Sequence, residues 1–103
     1  MRTLHLTIRK EQFKKILSGE TTRYIKEIKP TTKIRYCEYD SHGELIGPRH
    51  CDALKLAFGQ MPDKDWIEVE VIESVVEQDT VIYDLGKILQ EKVRVKSLYS
   101  RTA

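Results

Sequence analysis

The chain has 103 residues, 40% of them hydrophobic and 33% charged, with a formal net charge of +2. That is the size of one domain with one core and little room for a large internal cavity, and the composition excludes a disordered or low-complexity chain. The charge is segregated: residues 1–38 hold ten Lys/Arg against four Asp/Glu, residues 39–84 three against eleven, and residues 85–103 five against one. A fold that brings the two basic ends together therefore gains one basic and one acidic face.

Leu4, Leu6 and Ile8 alternate with His5 and Thr7, the period-two pattern of a half-buried strand. The period then changes. Phe13, Ile16 and Leu17 fall at i, i+3 and i+4, which predicts a short helix over residues 10–18, with Glu11 in its first turn, Lys14 and Lys15 near its end and Gly19 placed to terminate it. The segment after Gly19 reads as extended up to Pro30. Residues 33–39 read as a strand, with Ile34 and Tyr36 opposite Arg35 and Cys37, and Asp40-Ser41-His42-Gly43 as the turn of a hairpin. Residues 51–58 predict a further strand with Leu54, Leu56 and Phe58 on one face, and residues 59–65 a loop.

Residues 66–76 carry the longest β pattern. Ile67, Val69 and Val71 face one way and Glu68 and Glu70 the other, with a bulge expected near Glu73-Ser74. Two shorter strands, 80–83 and 87–89, follow on either side of Gly86. Val93 and Val95 alternate with Arg94 and Lys96, so residues 92–103 form either a last edge strand or a frayed basic tail. About six short strands with one clear helix, or two short helices, predict an α+β domain built as a small β-barrel with a helix at one end; a four-strand sheet with two helices is the alternative.

The opening Met-Arg-Thr-Leu-His-Leu-Thr-Ile has no apolar stretch of secretory length, and no run approaches the roughly 18 apolar residues of a membrane helix. Cys37 and Cys51 are the only cysteines. The expectation is a cytoplasmic protein with two reduced thiols and no disulfide framework.

Among side chains with chemical potential, the cations Arg23, Lys26, Lys29, Lys33 and Arg35, interleaved with Tyr24 and Tyr36, stand out. Cations neutralise phosphates and tyrosine rings stack on splayed bases; the plainer reading is a solvated strand. In an extended stretch Arg23 and Ile25 share one face and Tyr24 and Lys26 the other, so the latter two are expected to line one cleft. Cys37, His42, His50 and Cys51 match no short paired metal motif, and no metal site is expected. Trp66 reads as core or a rim plug, and Glu68, Glu70, Glu73 and Glu77 as a solvent-facing strand side. No phosphate-cradling or dinucleotide fingerprint occurs, and no cofactor is expected.

Residues 13–30, Phe-Lys-Lys-Ile-Leu-Ser-Gly-Glu-Thr-Thr-Arg-Tyr-Ile-Lys-Glu-Ile-Lys-Pro, resemble the opening of an ASCH domain. Residues 51–59 and 81–89 resemble that family's mid-chain and closing strands. The resemblance covers most of residues 3–90 and implies a single PUA-like barrel related to RNA-binding domains. Some members of the family are small amidohydrolases acting on acetylated cytidine. Relative to the motif Gly-x-Lys-x-x-(Glu or Thr)-x-Arg, this chain keeps Gly19 but has Thr21 at the lysine position, Tyr24 at the nucleophile position and Lys26 at the arginine position. The expectation is accordingly an RNA- or nucleotide-binding module with a basic cleft after the first helix, formed by Gly19, Thr21, Thr22, Arg23, Tyr24, Lys26 and Lys29. A divergent nucleoside hydrolase and a protein-interaction domain that self-associates through an exposed barrel edge, with residues 92–103 as the candidate edge, are the alternatives.

Overall fold

The computed structural model describes residues 2–58 and 65–93. The elements run β1 (Thr3–Thr7), α1 (Lys10–Leu17), β2 (Arg23–Glu27), α2 (Lys33–Tyr36), β3 (Cys37–Tyr39), β4 (Leu45–Pro48), β5 (Ala53–Phe58), β6 (Asp65–Glu77) and β7 (Thr80–Lys92). Five strands form one sheet in the order β1-β5-β6-β7-β2, curled into a half-barrel, and β3 and β4 form a separate hairpin. The β1–β5 pair is parallel, with Thr3 opposite Ala53 and Thr7 opposite Ala57; every other pair is antiparallel. Among the described residues, no helix is long and apolar enough to cross a membrane. The predicted loop at 59–65 and the tail beyond Val93 fall almost wholly outside the described residues.

The period-two patterns bury as they should. Leu6, Leu54, Leu56, Ile67 and Val69 line the concave face, while Thr7, Lys55 and Glu68 lie on the other. The apolar stripe of α1 packs on that concave face: Phe13 is fully buried, Ile16 nearly so, and the Phe13 and Phe58 rings lie 6.0 Å apart. Ser18 caps the helix, and Gly19 takes φ +80°, a left-handed turn that costs glycine little.

Three expectations need correction. Residues 33–36 form one helical turn and not a strand, with only Cys37–Tyr39 extended; over four residues an i, i+2 apolar pair does not distinguish the two, and the burial of Tyr36 is served by either. Residues 80–92 are one strand that continues through Gly86. The register shifts fall between Glu68 and Glu73, ahead of the expected position. Those last two findings share a cause. The bulged stretch of β6 crowds β7, and a Cβ at Gly86 would collide with the Glu70 carboxylate and sit 3.2 Å from Ile72 Cγ1. Gly86 therefore admits a close approach where the sequence suggests a break. The β6–β7 hairpin closes through Gln78-Asp79, and Gln78 adopts φ 52°, the left-handed conformation that a two-residue hairpin turn demands.

Candidate functional site

The structure sends the seven residues of the expected cleft to separate places. Gly19, Thr21 and Thr22 border a groove of about 180 Å³ whose other walls are apolar apart from Ser18, include Ile16, Leu85 and Ile88, and carry no cation. Arg23 points to the outer face of β2, where its Nε lies 3.0 Å from Asp84 Oδ1. Lys26 folds inward, its Nζ 5.7 Å from the centre of the Tyr36 ring. Lys29 borders a different hollow with Lys33 and Tyr39.

Tyr24 shares the inward face with Lys26, as alternation requires, but its ring is in the core. It is 5% exposed and stacks on Tyr83, with centroids 6.4 Å apart and planes 23° from parallel. That ring offers no free face to a base. Burial first, then Tyr36 nearby, pushes the Tyr24 phenol above its ordinary range, away from acid–base work near neutral pH. Neither its hydroxyl nor that of Thr21 hydrogen-bonds a carboxylate or lysine among the described residues.

A different hollow, of about 360 Å³, gathers the positive charge. Arg2, Arg35, Arg49 and His50 border it together with Ile34 and Tyr83. Three parts of the chain meet there for identifiable reasons. The parallel β1–β5 pairing sets Arg2 beside Asp52: the Arg2 N–H donates to Asp52 Oδ2 at 2.7 Å, and the Asp52 N–H donates to the Arg2 carbonyl at 2.8 Å. Arg49 then fastens α2. Its Nε and Nη2 donate to the Ile34 carbonyl at 3.1 and 2.9 Å, and Nη2 to the Cys37 carbonyl at 3.3 Å, so its guanidinium serves carbonyls that a one-turn helix leaves open. Arg35, on that turn, stacks over the Tyr36 ring at 5.5 Å and donates to the His5 carbonyl.

Asp52 neighbours two of the bordering residues, Arg2 and His50. The Arg2 backbone N–H, and then the contact from His50 Nε2 at 3.1 Å, hold its carboxyl below the usual range. Among the described residues that border the hollow, three are arginines and none is Asp or Glu, which leaves it cationic. At its floor Tyr83 is fully buried, and among the described residues its hydroxyl is without a hydrogen-bond partner. Burial pushes that phenol far above the ordinary tyrosine range, so it stays a neutral O–H. Burial also raises the thiols of Cys37 and Cys51, which keeps them protonated and poor nucleophiles. The chemistry on offer is positive charge and hydrogen bonding beside an apolar wall.

Of the three arginines the sequence pointed only to Arg35, as one cation in a run; nothing local connects Arg2, Arg35 and Arg49. On the outer face, Trp66 is half-buried with Lys55 Nζ 4.1 Å from its ring centre, a rim position rather than core. No protein-family model and no curated protein matches the chain.

Proposed function

We propose that the chain is a PUA-like binding module for a nucleotide unit, free or within single-stranded RNA, and that the arginine-lined hollow, not the segment after Gly19, receives it. The observation that carries this reading is the convergence of Arg2, Arg35 and Arg49 on one hollow of small-molecule size. Arg2 and Arg35 hold phosphate, since each keeps guanidinium donors to spare. Arg49 fixes α2 and adds charge, and the exposed Ile34 supplies an apolar side for a base. The resemblance of residues 13–30, 51–59 and 81–89 to ASCH domains supports the same reading. The loss of the hydrolase lysine and nucleophile at Thr21 and Tyr24 favours binding over hydrolysis.

An NMR titration with nucleoside monophosphates and short single-stranded RNAs tests it. Amide shifts are expected at Arg2, Ile34, Arg35 and His50, and not at Thr21 to Arg23. Affinity for RNA should fall with salt by a logarithmic slope of about −0.7 for each phosphate neutralised. Silent amides around the hollow at millimolar ligand would remove the proposal.

Tyr83→Phe separates floor from scaffold. The lost hydroxyl has no partner among the described residues, so stability should hold or rise by up to about 1 kcal/mol. Tyr83 is fully buried, so affinity for the ligand should stay within about threefold. Thermal melts and binding isotherms on the same preparation read both quantities.

A further inference from the structure

Among the described residues the half-barrel has two edge strands, β1 and β2, and they differ. On β1, the His5 carbonyl already accepts a hydrogen bond from Arg35. Among the described residues β2 pairs with β7 alone. The Leu85 N–H donates to the Thr22 carbonyl at 2.8 Å and the Ile28 N–H to the Asp79 carbonyl at 2.7 Å. Alternation along an antiparallel ladder then turns the N–H and C=O groups of Arg23, Ile25 and Glu27 away from β7. Among the described residues those outward groups have no partner. The side chains beside them are also open: Ile25 is 53% exposed and heads a cross-strand row with Ile82 and the exposed Val75.

An open row of strand donors and acceptors is a template for another strand, and the sequence of β2 says which. Read antiparallel about Ile25, Arg23-Tyr-Ile-Lys-Glu27 is self-complementary: Arg23 falls opposite Glu27 of a second copy at both ends, and Ile25 falls opposite Ile25. Glu27 makes no ion pair among the described residues, while the Arg23–Asp84 pair is solvent-exposed and uses one guanidinium nitrogen. The remaining donors can reach a second carboxylate.

We propose that two copies of this chain join β2 to β2 about a two-fold axis at Ile25, so that the sheet of one continues into the other. The Arg23–Glu27 pairs fix the register, and the two rows of Val75, Ile82 and Ile25 become one apolar band on the outer face. Using the same edge of both copies closes the assembly at two. An interface of one five-residue strand is small, so the dimer is weak and depends on concentration. This inference stands apart from the ligand hollow, and either can fail alone.

The test is sedimentation equilibrium on the full chain from about 5 to about 500 µM, where the weight-average mass should climb from 12.1 kDa toward twice that value. Ile25→Pro should leave the fold intact by circular dichroism, because its N–H faces away from β7, and should abolish association. Arg23→Glu and Glu27→Arg should each weaken dimerisation about tenfold, by setting like charges opposite each other at both ends. The combined variant should recover to within about threefold of the unaltered chain. A monomer at every concentration overturns the proposal, as does a dimer that Ile25→Pro leaves unchanged. Failure of the combined variant to recover overturns the register.

Discussion

An Arg2→Ala, Arg35→Ala double variant is expected to bind single-stranded RNA about a hundredfold more weakly at physiological salt, and to lose about 1.4 from the logarithmic salt slope. Each guanidinium offers a phosphate a charge-assisted hydrogen bond worth about 1.5 kcal/mol or more, and two such losses multiply to that factor. Both side chains lie at the surface, and among the described residues the single side-chain hydrogen bond they give up, from Arg35 to the His5 carbonyl, is exposed. The fold should therefore survive with a stability change below about 1 kcal/mol. Arg49→Ala is the wrong probe for the same purpose. Its guanidinium carries three bonds to the carbonyls of Ile34 and Cys37, and losing them unfastens α2 along with any ligand contact. Fluorescence anisotropy across a salt series reads affinity and slope together. An unchanged slope in the double variant would show that these arginines meet no phosphate.

Phe13→Ala should cost about 3–5 kcal/mol of folding stability, against a total of about 5–15 kcal/mol for a domain of ordinary stability. Phe13 is fully buried and meets the Phe58 ring at 6.0 Å, joining α1 to β5. It is also the largest apolar side chain on that helix, which has only eight residues and cannot hold its shape without docking. Urea denaturation measures the loss. A change below about 1 kcal/mol would mean that α1 does not close the concave face as described.

Local pattern carried much of the fold. The alternation of Leu4, Leu6 and Ile8, the helical spacing of Phe13, Ile16 and Leu17, and the Ile67-Val69-Val71 face each name an element that the structure contains, within a residue or two of its ends. These patterns are legible because one face of each element is buried and the other is not. Where burial does not alternate, pattern fails: α2 is too short to show a helical period, and Gly86 interrupts the sequence of β7 while serving its packing. The site was harder to read. Arg2, Arg35 and Arg49 come together only through the β1–β5 pairing and the fastening of α2, neither of which leaves a local mark. The cations after Gly19 look like a cluster because they are neighbours in sequence. Alternation along β2 turns Arg23 outward and Tyr24 into the core, and the cluster disperses.

The pairing of distant segments also bears on how the molecule comes together in time. The β6–β7 hairpin needs only its two-residue turn, whereas β1 waits for β5, fifty residues downstream, and β2 for β7, sixty-one residues downstream. Long loops must be closed before such contacts repay their entropy, which places folding on the slow side for a chain of this length. During synthesis the N-terminal quarter leaves the ribosome with no strand to join. The expected nucleus is the late hairpin, and β1 and β2, which precede it in the chain, are the last to find their places.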